Sequence, residues 1–472
     1  MKNMRFFFRY SPLLIIALLL TASSCKRHKN PSLSDNALIS DMQIHENAEA
    51  ERLKQIQQLR DSLSRLPKGF QYKEVRSIDT QNPPAVFHFT DSLPPRECRL
   101  SEIASQLEYI VVKTSQAPSL DLSFFNVAMG NEVIVLYGIQ GIELFDIQGN
   151  YIRTIVNNTG QNINNGIGSY SPQNLVGFPF MKISVADNSF LYVFVDGPAN
   201  NVSVMKVDPT GHGNEINLQG EVPGLILPEG TGLKQIQGLE FLSKLVCYEL
   251  GDGLWASLEN KWNSGSKGDL LTIYGPAGET LCQFKDYDRI VNYPGGPYRN
   301  TDKEVSYYFK KTLSYKPAHN DTLFRVIPPN RLLPAFIFDF GHRKVGLMEG
   351  LISGNDLSEK NLSRELYETN RYLFYMYTRN HVVGKALRTG NYRYIYTLID
   401  KRSNQIYHLS NITTADGGIV NDLDGGLPFW PDGVTEEGTP FMWCPGWEFK
   451  KQSVSKRIKG LADTDAVIIL AK

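Results

Sequence analysis

A surplus of positive charge is the first thing this chain lacks: 49 Lys and Arg stand against 49 Asp and Glu. Without a cationic field to hold a phosphate backbone, nucleic acid is excluded as a partner. Cysteine is scarce, five in 472 residues, and none stands in a Cys-x-x-Cys, so zinc-ribbon and thioredoxin-type chemistry lose their spacing. No G-x-S-x-G elbow, H-E-x-x-H pair, phosphate loop or dinucleotide fingerprint occurs, which leaves the familiar hydrolase and nucleotide-binding classes without support. The histidines, among them His212, His319, His342, His381 and His408, stand singly and mark no metal site by spacing. Long hydrophobic runs are missing as well. The apolar run Leu13 to Leu20 is too short to cross a hydrocarbon core of about 30 Å.

That run has a different meaning. Lys2, Arg5 and Arg9 precede it, and the small residues Thr21-Ala22-Ser23-Ser24 lead from it into Cys25, the layout of a cleaved secretory signal covering residues 1–24. The junction resembles the bacterial lipobox, with Ala22 where leucine is usual, as in the looser Bacteroidetes form. The resemblance implies that Cys25 is lipidated and that the membrane is a partner through the acyl chains. Two or three chains would anchor stably where one would not. A secreted protein with an incidental Cys25 is the alternative. Removal of the signal leaves 46 basic against 49 acidic residues. Cys98, Cys247, Cys282 and Cys444 then remain, as buried thiols or as disulfide partners with three complete pairings open to them.

Residues 25–70 read as a polar tether followed by a helix. From Ala37 to Leu66 the chain is rich in helix formers, with Ile56, Leu59, Leu63 and Leu66 at three- and four-residue steps, until Pro67-Lys68-Gly69 stops it. His45 and Glu49 share one face of that helix and read as solvated. Barely two heptads long, the stripe suits docking against the protein's own body better than a coiled coil.

Residues 71–472 make up the remaining domain, and beyond residue 100 the pattern changes to short β-type runs separated by turns. Plentiful Tyr and Phe, with Gly and Pro throughout, favour strands and turns. A hairpin unit recurs at Glu132–Tyr137 with Gly141–Asp146 and Tyr151–Ile155, at Phe190–Val195 with Val202–Val207, and at Leu270–Tyr274 with Thr280–Phe284. Weaker copies lie at Leu323–Val326 and Tyr394–Ile399. Leu107–Val112 and Ala466–Leu470 are left over near the two ends and suit one shared blade that closes a ring. Five hairpins and this closing pair predict an all-β, six-bladed β-propeller, in preference to a series of β-sandwiches.

Three phrases carry a family likeness: Leu100 to Ile110, Phe145 to Ile152, and Asp321 to Val326 followed by Phe338 to Gly341. Through them the chain resembles the six-bladed β-propeller lipoproteins of Bacteroidetes, related in architecture to NHL and TolB-like propellers. Where many relatives carry a Gly-Pro-Gly-Glu loop, this chain has Asn157 to Gly166, so any pocket formed there is altered. The resemblance implies the fold and an envelope location and assigns no activity. Lys26-Arg27-His28-Lys29 stands where surface-exported relatives carry an acidic cluster, which favours the periplasm over the cell surface. Asp61-Ser62-Leu63, Asp91-Ser92-Leu93 and Asp321-Thr322-Leu323 resemble Bacteroidetes O-glycosylation triplets.

Two stretches offer candidate sites. Asp416, Asp422 and Asp424 lie on a glycine-rich segment, hard oxygen donors on a pliable loop that calcium would accept, although turn formation explains the same residues. Just beyond it, Trp430, Trp443 and Trp447 stand among Pro and Gly, able either to stack on a sugar or clamp a peptide, or to pack between blades. No catalytic residue is indicated. The sequence therefore predicts a membrane-anchored, non-catalytic scaffold for an envelope protein or glycan. The alternatives are a metal-dependent propeller hydrolase or lyase on a small envelope substrate, and a nutrient-capture accessory.

Overall fold

The computed structural model describes residues 58, 61–62, 65–67, 69–81, 83–89, 95–117, 125–138, 141–157, 184–186, 189–196, 201–207, 213–216, 245–251, 253–259, 269–275, 279–287, 302, 304–351, 356–357, 359–379, 381–382, 393–409 and 418–472. The chain parts after Asp61 into two compact units. Of the first, Gln58 and Asp61 are described, both helical and exposed; the signal, Cys25, His45, Glu49, Ile56 and Leu59 lie outside the described residues, as does Leu63 just beyond the boundary. By Arg65 the chain has left the helix.

The second unit is an all-β, propeller-like array of antiparallel sheets taken in chain order. The first sheet holds Phe125–Met129, Val133–Gly138, Gly141–Asp146 and Tyr151–Asn157, the second Ser184–Ala186, Ser189–Asp196, Asn201–Val207 and Gly213–Ile216. The third holds Leu245–Gly251, Leu254–Glu259, Asp269–Tyr274 and Thr280–Lys285, the fourth Val305–Phe309, Thr312–Lys316, Thr322–Ile327 and Arg331–Asp339. The fifth holds Leu362–Glu368, Tyr372–Arg379, Arg393–Asp400 and Gln405–Leu409. The sixth holds Gly433–Val434, Pro440–Pro445, Ala466–Ala471 and, from far upstream, Leu107–Val112. Five of these sheets are described with their side chains, one fewer than the six blades read from the sequence; the second is described by its backbone.

The first strand of one sheet neighbours the next sheet, and Gly433–Val434 of the sixth returns beside Phe125–Met129 of the first. Leu107–Val112 runs antiparallel to Ala466–Ala471, from Leu107 opposite Ala471 to Val112 opposite Ala466, so the two left-over strands of the sequence do share a sheet. Lys113 reinforces the junction with a 2.8 Å ion pair to the buried Asp465. Gly149 turns the first sheet's last hairpin with φ +85 against Val111, whose carbonyl a Cβ there would strike.

Alternation along a strand explains why so many runs read as continuously apolar. In Tyr372–Arg379, Tyr372, Phe374 and Met376 enter the core shared with the sixth sheet, whereas Leu373, Tyr375 and Tyr377 enter the core shared with the fourth. Ala466–Ala471 does the same: Ala466, Ile468 and Leu470 face the first sheet, Val467 and Ile469 the opposite side. A sheet covered on both faces needs apolar residues at every position. Each fully buried large side chain contributes about 1.5 to 3 kcal/mol.

One feature of residues 71–99 departs from the expectation that they simply begin the propeller. Their described parts form a strap along its outer edges. The Tyr72 amide bonds the Leu281 carbonyl of the third sheet's last strand at 2.7 Å. Val75–Arg76 and Ala85–His88 pair in parallel with Arg331–Asp339 of the fourth, and Pro95–Arg96 with Gln405–Leu409 of the fifth. Edges that would otherwise recruit other chains are thereby covered.

Candidate functional site

The three tryptophans are not brought together. Trp430 is buried between the fifth and sixth sheets, edge-on to Phe374 and Tyr396 with ring centroids 5.6 and 4.7 Å away. Its indole N–H has no hydrogen-bond partner among the described residues. Trp443 packs, half-buried, on the opposite face of the sixth sheet against the first. Trp447 is 47% exposed, with the Lys451 ammonium 4.4 Å above its ring.

The acidic loop is likewise divided. Asp416 lies outside the described residues. Asp422 accepts the amide and hydroxyl of Ser101 at 3.0 and 2.6 Å, bonds that hold its carboxyl below the usual carboxylate range. Asp424 accepts the Tyr109 hydroxyl, the Asn421 amide group at 2.8 Å and the Gly426 amide at 3.1 Å. These oxygens are engaged by protein donors, as in Asx turns and caps. Among the described residues no three His, Cys, Asp or Glu side chains gather as a metal site. Cys98, Cys282 and Cys444 are free and buried; burial first, with nearby acids, pushes the thiols up to about 11, 12 and 12.

Two charged clusters are built into the walls. Between the fourth and fifth sheets, Glu368 receives Arg325, Lys401 and the Tyr307 hydroxyl, each at 2.8 Å. Both cations also stand over the Phe309 ring, at 5.0 and 4.3 Å. At the other end of the Leu362–Glu368 strand, Asp302 takes the amides of His319 and Ser363 at 2.7 and 2.5 Å and faces Lys316 at 3.6 Å. Burial pushes the Asp302 carboxyl up, and the opposing charges of Lys316 and His319 with the two amides more than reverse it, leaving it lowered. Each buried acid here has a cation beside it, the usual requirement for keeping a charge inside a protein.

A third acidic position is arranged differently. Asp432 immediately precedes the first strand of the sixth sheet, whereas Glu365 and Tyr367 lie on the first strand of the fifth, the neighbouring innermost strand. Asp432 is open to solvent, yet protein encloses it so closely that burial is the main force on its carboxyl, pushed up to about 7. The Trp443 amide, donating at 2.8 Å, opposes that shift and the negative charge of Glu365 adds to it. Tyr367, half-buried beside them, has its hydroxyl driven well above the ordinary value by burial and then by Glu365, Asp432 and Tyr137. Innermost strands surround the central channel of a propeller, so these three residues stand at the rim of the recess that the ring encloses. This recess opens near the ring's centre, where the fifth, sixth and first sheets meet.

Sequence reasoning passed over all three of its members. Asp432 follows Trp430-Pro431 and reads as a turn residue; Glu365 and Tyr367 sit in a strand whose neighbours, not its own letters, make it innermost. The available signal was the acidic residue opening a strand next to the tryptophan-rich segment.

A family model described as a domain of unknown function, DUF4933, matches residues 67–182 and 236–455. Among solved structures, a candidate exported protein of Bacteroides fragilis is similar at 12% identity and a TM-score of 0.46, covering 84% of this chain and 100% of that one. A Bacteroides caccae protein of unknown function is similar at 11% identity and 0.31, over 60% and 80% of the two chains. The N-terminal domain of Nup159 is similar at 9% identity and 0.31, over 82% and 80%. No curated protein sequence matches.

Proposed function

The chain belongs to the DUF4933 family, and from that premise we propose that it is a non-catalytic binding scaffold of the bacterial envelope. In this reading it is a six-bladed propeller of the NHL and TolB-like kind, anchored through lipidated Cys25 on the periplasmic side, that holds an envelope protein or glycan. The basic, apolar and small-residue segments before Cys25 support the location. The observation that carries the binding role is Asp432: its carboxyl is open to solvent at the innermost strands beside Tyr367, whereas Asp422 and Glu368 are held by several protein donors. Carboxylates that converge beside aromatic rings suit sugar hydroxyls or a peptide amine.

Cross-linked affinity purification of the lipidated protein from its native envelope tests this, with mass spectrometry of bound proteins and glycans. The expected result is a reproducible partner that is lost from the Asp432→Asn, Glu365→Gln variant. A protein that emerges alone, or a partner indifferent to both changes, would defeat the reading.

A hydrolase or lyase is the second reading, favoured by one observation: a carboxyl raised to about 7 beside another carboxylate is the division of labour that general acid catalysis uses. Turnover of an envelope oligosaccharide that disappears in Asp432→Asn while binding persists would select it. Protease shaving of intact cells tests a nutrient-capture role, which requires loss of the protein without lysis.

A further inference from the structure

The strap carries a surface that the recess does not explain. Of the large apolar side chains standing exposed among the described residues, Val75, Ile78 and Val86 fall on the strap, Phe70 just before it and Tyr287 just past the strand it clasps. Ile78 is 61% and Tyr287 67% exposed, far beyond what edge packing requires. The others, Ile152, Val420 and Trp447, lie elsewhere in the chain. An exposed apolar group concentrated on one edge marks a contact surface.

Around its end at residues 73–78 the fully exposed charges are basic. Lys73, Arg76, Lys285 and Arg331 are exposed, and the backbone stitches them into one place. Asn330 donates to the Lys73 carbonyl at 2.7 Å, and Val75 pairs with Arg331. Arg76 bonds the Lys285 carbonyl and lies 4.7 Å over the Tyr287 ring. The neighbouring acids, Glu74, Asp79 and Asp286, are half-buried. Glu74 is drawn inward by the Lys285 amide at 3.0 Å, the Tyr287 hydroxyl at 2.5 Å and Arg76 at 3.1 Å. Exposed cations and exposed apolar side chains therefore share this stretch of the strap, while its acids are half-buried. Long basic side chains can reach phosphate headgroups while their stems and the apolar residues settle deeper.

We propose that this face of the strap lies on the anionic headgroup surface of a membrane, so that the protein is held to the bilayer by a surface as well as by a tether. The inference rests on the lipid-anchored reading above. The excess of exposed cations over exposed acids favours an anionic membrane over a second copy, which would set the same excess against itself. In chain order after Cys25, the strap also holds the first paired strand of the second unit.

The test uses the full acylated protein, reconstituted in vesicles of phosphatidylcholine with phosphatidylglycerol, with an environment-sensitive fluorophore at Ile78→Cys. Cys98, Cys282 and Cys444 are poor competitors for the label, being buried with raised thiol values, and the parent protein treated identically supplies the background. The expected result is a blue shift and quenching by spin-labelled lipid, absent for a probe at Trp447→Cys. Lys73→Glu with Arg331→Glu, or vesicles without phosphatidylglycerol, should weaken the quenching by about tenfold. An unshifted probe on protein that floats with the vesicles would overturn the surface and leave the anchor standing. Failure of the parent to float, with a shifted probe on added vesicles, would defeat the anchor alone. A shift that grows with protein concentration in the absence of lipid would identify a second copy as the occupant and overturn the proposal.

Discussion

Two acids placed between neighbouring sheets have opposite surroundings. Glu368, between the fourth and fifth sheets, is 1% exposed and holds Arg325, Lys401 and Tyr307. Asp432, where the sixth sheet meets the fifth, is enclosed as well, but its resolved influences are a backbone amide and the repulsion of Glu365. In the first region charge is neutralised and spent on holding two blades together. In the second, the protein keeps a carboxyl at an energetic cost with no cation beside it among the described residues, and solvent reaches it. Burial does not separate structural from functional acids in this fold; the counter-charge does.

The comparison breaks first at Glu368. Replacement by Ala strands two partly buried cations, and denaturant unfolding should show a loss near the upper end of about 3 to 5 kcal/mol. A loss under about 1 kcal/mol would mean that this network is no more than a surface ion pair. Trp430→Ala comes next, at about 3 kcal/mol, since it empties the contacts with Phe374 and Tyr396 in the core behind the recess. Ligand binding in the folded Trp430 variant should persist. If stability holds and binding goes, Trp430 is part of the site rather than its support.

How much of this could be read in the letters depends on whether a feature is local. The hairpins at Val133–Asp146, Ser189–Val207 and Asp269–Lys285 announce themselves by alternation and turn residues, and the closing pair of Leu107–Val112 with Ala466–Ala471 follows from two strands left without neighbours. Tyr372–Arg379 was missed because a strand buried on both faces has no polar side to show its period. The strap was missed for the converse reason: Val75–Arg76 and Pro95–Arg96 are two-residue pairings whose only structure is the edge they lie on. The recess combines positions 365, 367 and 432, which no spacing rule links. Asp422 and Asp424 were visible as candidates, but their bonds to Ser101 and Tyr109 belong to residues more than 300 positions away.

A smaller effect sharpens the contrast through pH. Asp432 has a folded value near 7 against an ordinary 3.8, so the folded state holds its proton more tightly. Its contribution is therefore fully present below about 3.8 and is lost as pH rises through about 7. Asp432→Asn should flatten stability across that window and stabilise the protein at pH 8 by about 1 kcal/mol, a figure reduced for solvent access. Thermal unfolding from pH 4 to 8 reads it directly. A variant that loses stability at pH 8 would show that Asp432 is paired after all, as Glu368 is.

The smallest expected effect lies outside both regions. Trp447 shares the sequence neighbourhood of Trp430 and Trp443 but is nearly half exposed, with one cation over its ring. An exposed ring of this kind returns little on folding, so Trp447→Ala should change unfolding free energy by less than about 0.5 kcal/mol. Its value to the comparison is as an accessible aromatic that stability does not require. If Trp447→Ala weakens capture of the envelope partner while Trp430→Ala does not, recognition extends from the recess onto the outer loop. If neither variant affects capture, the partner is held by the carboxyl and tyrosine groups of the recess, and the tryptophan-rich segment serves the walls around it.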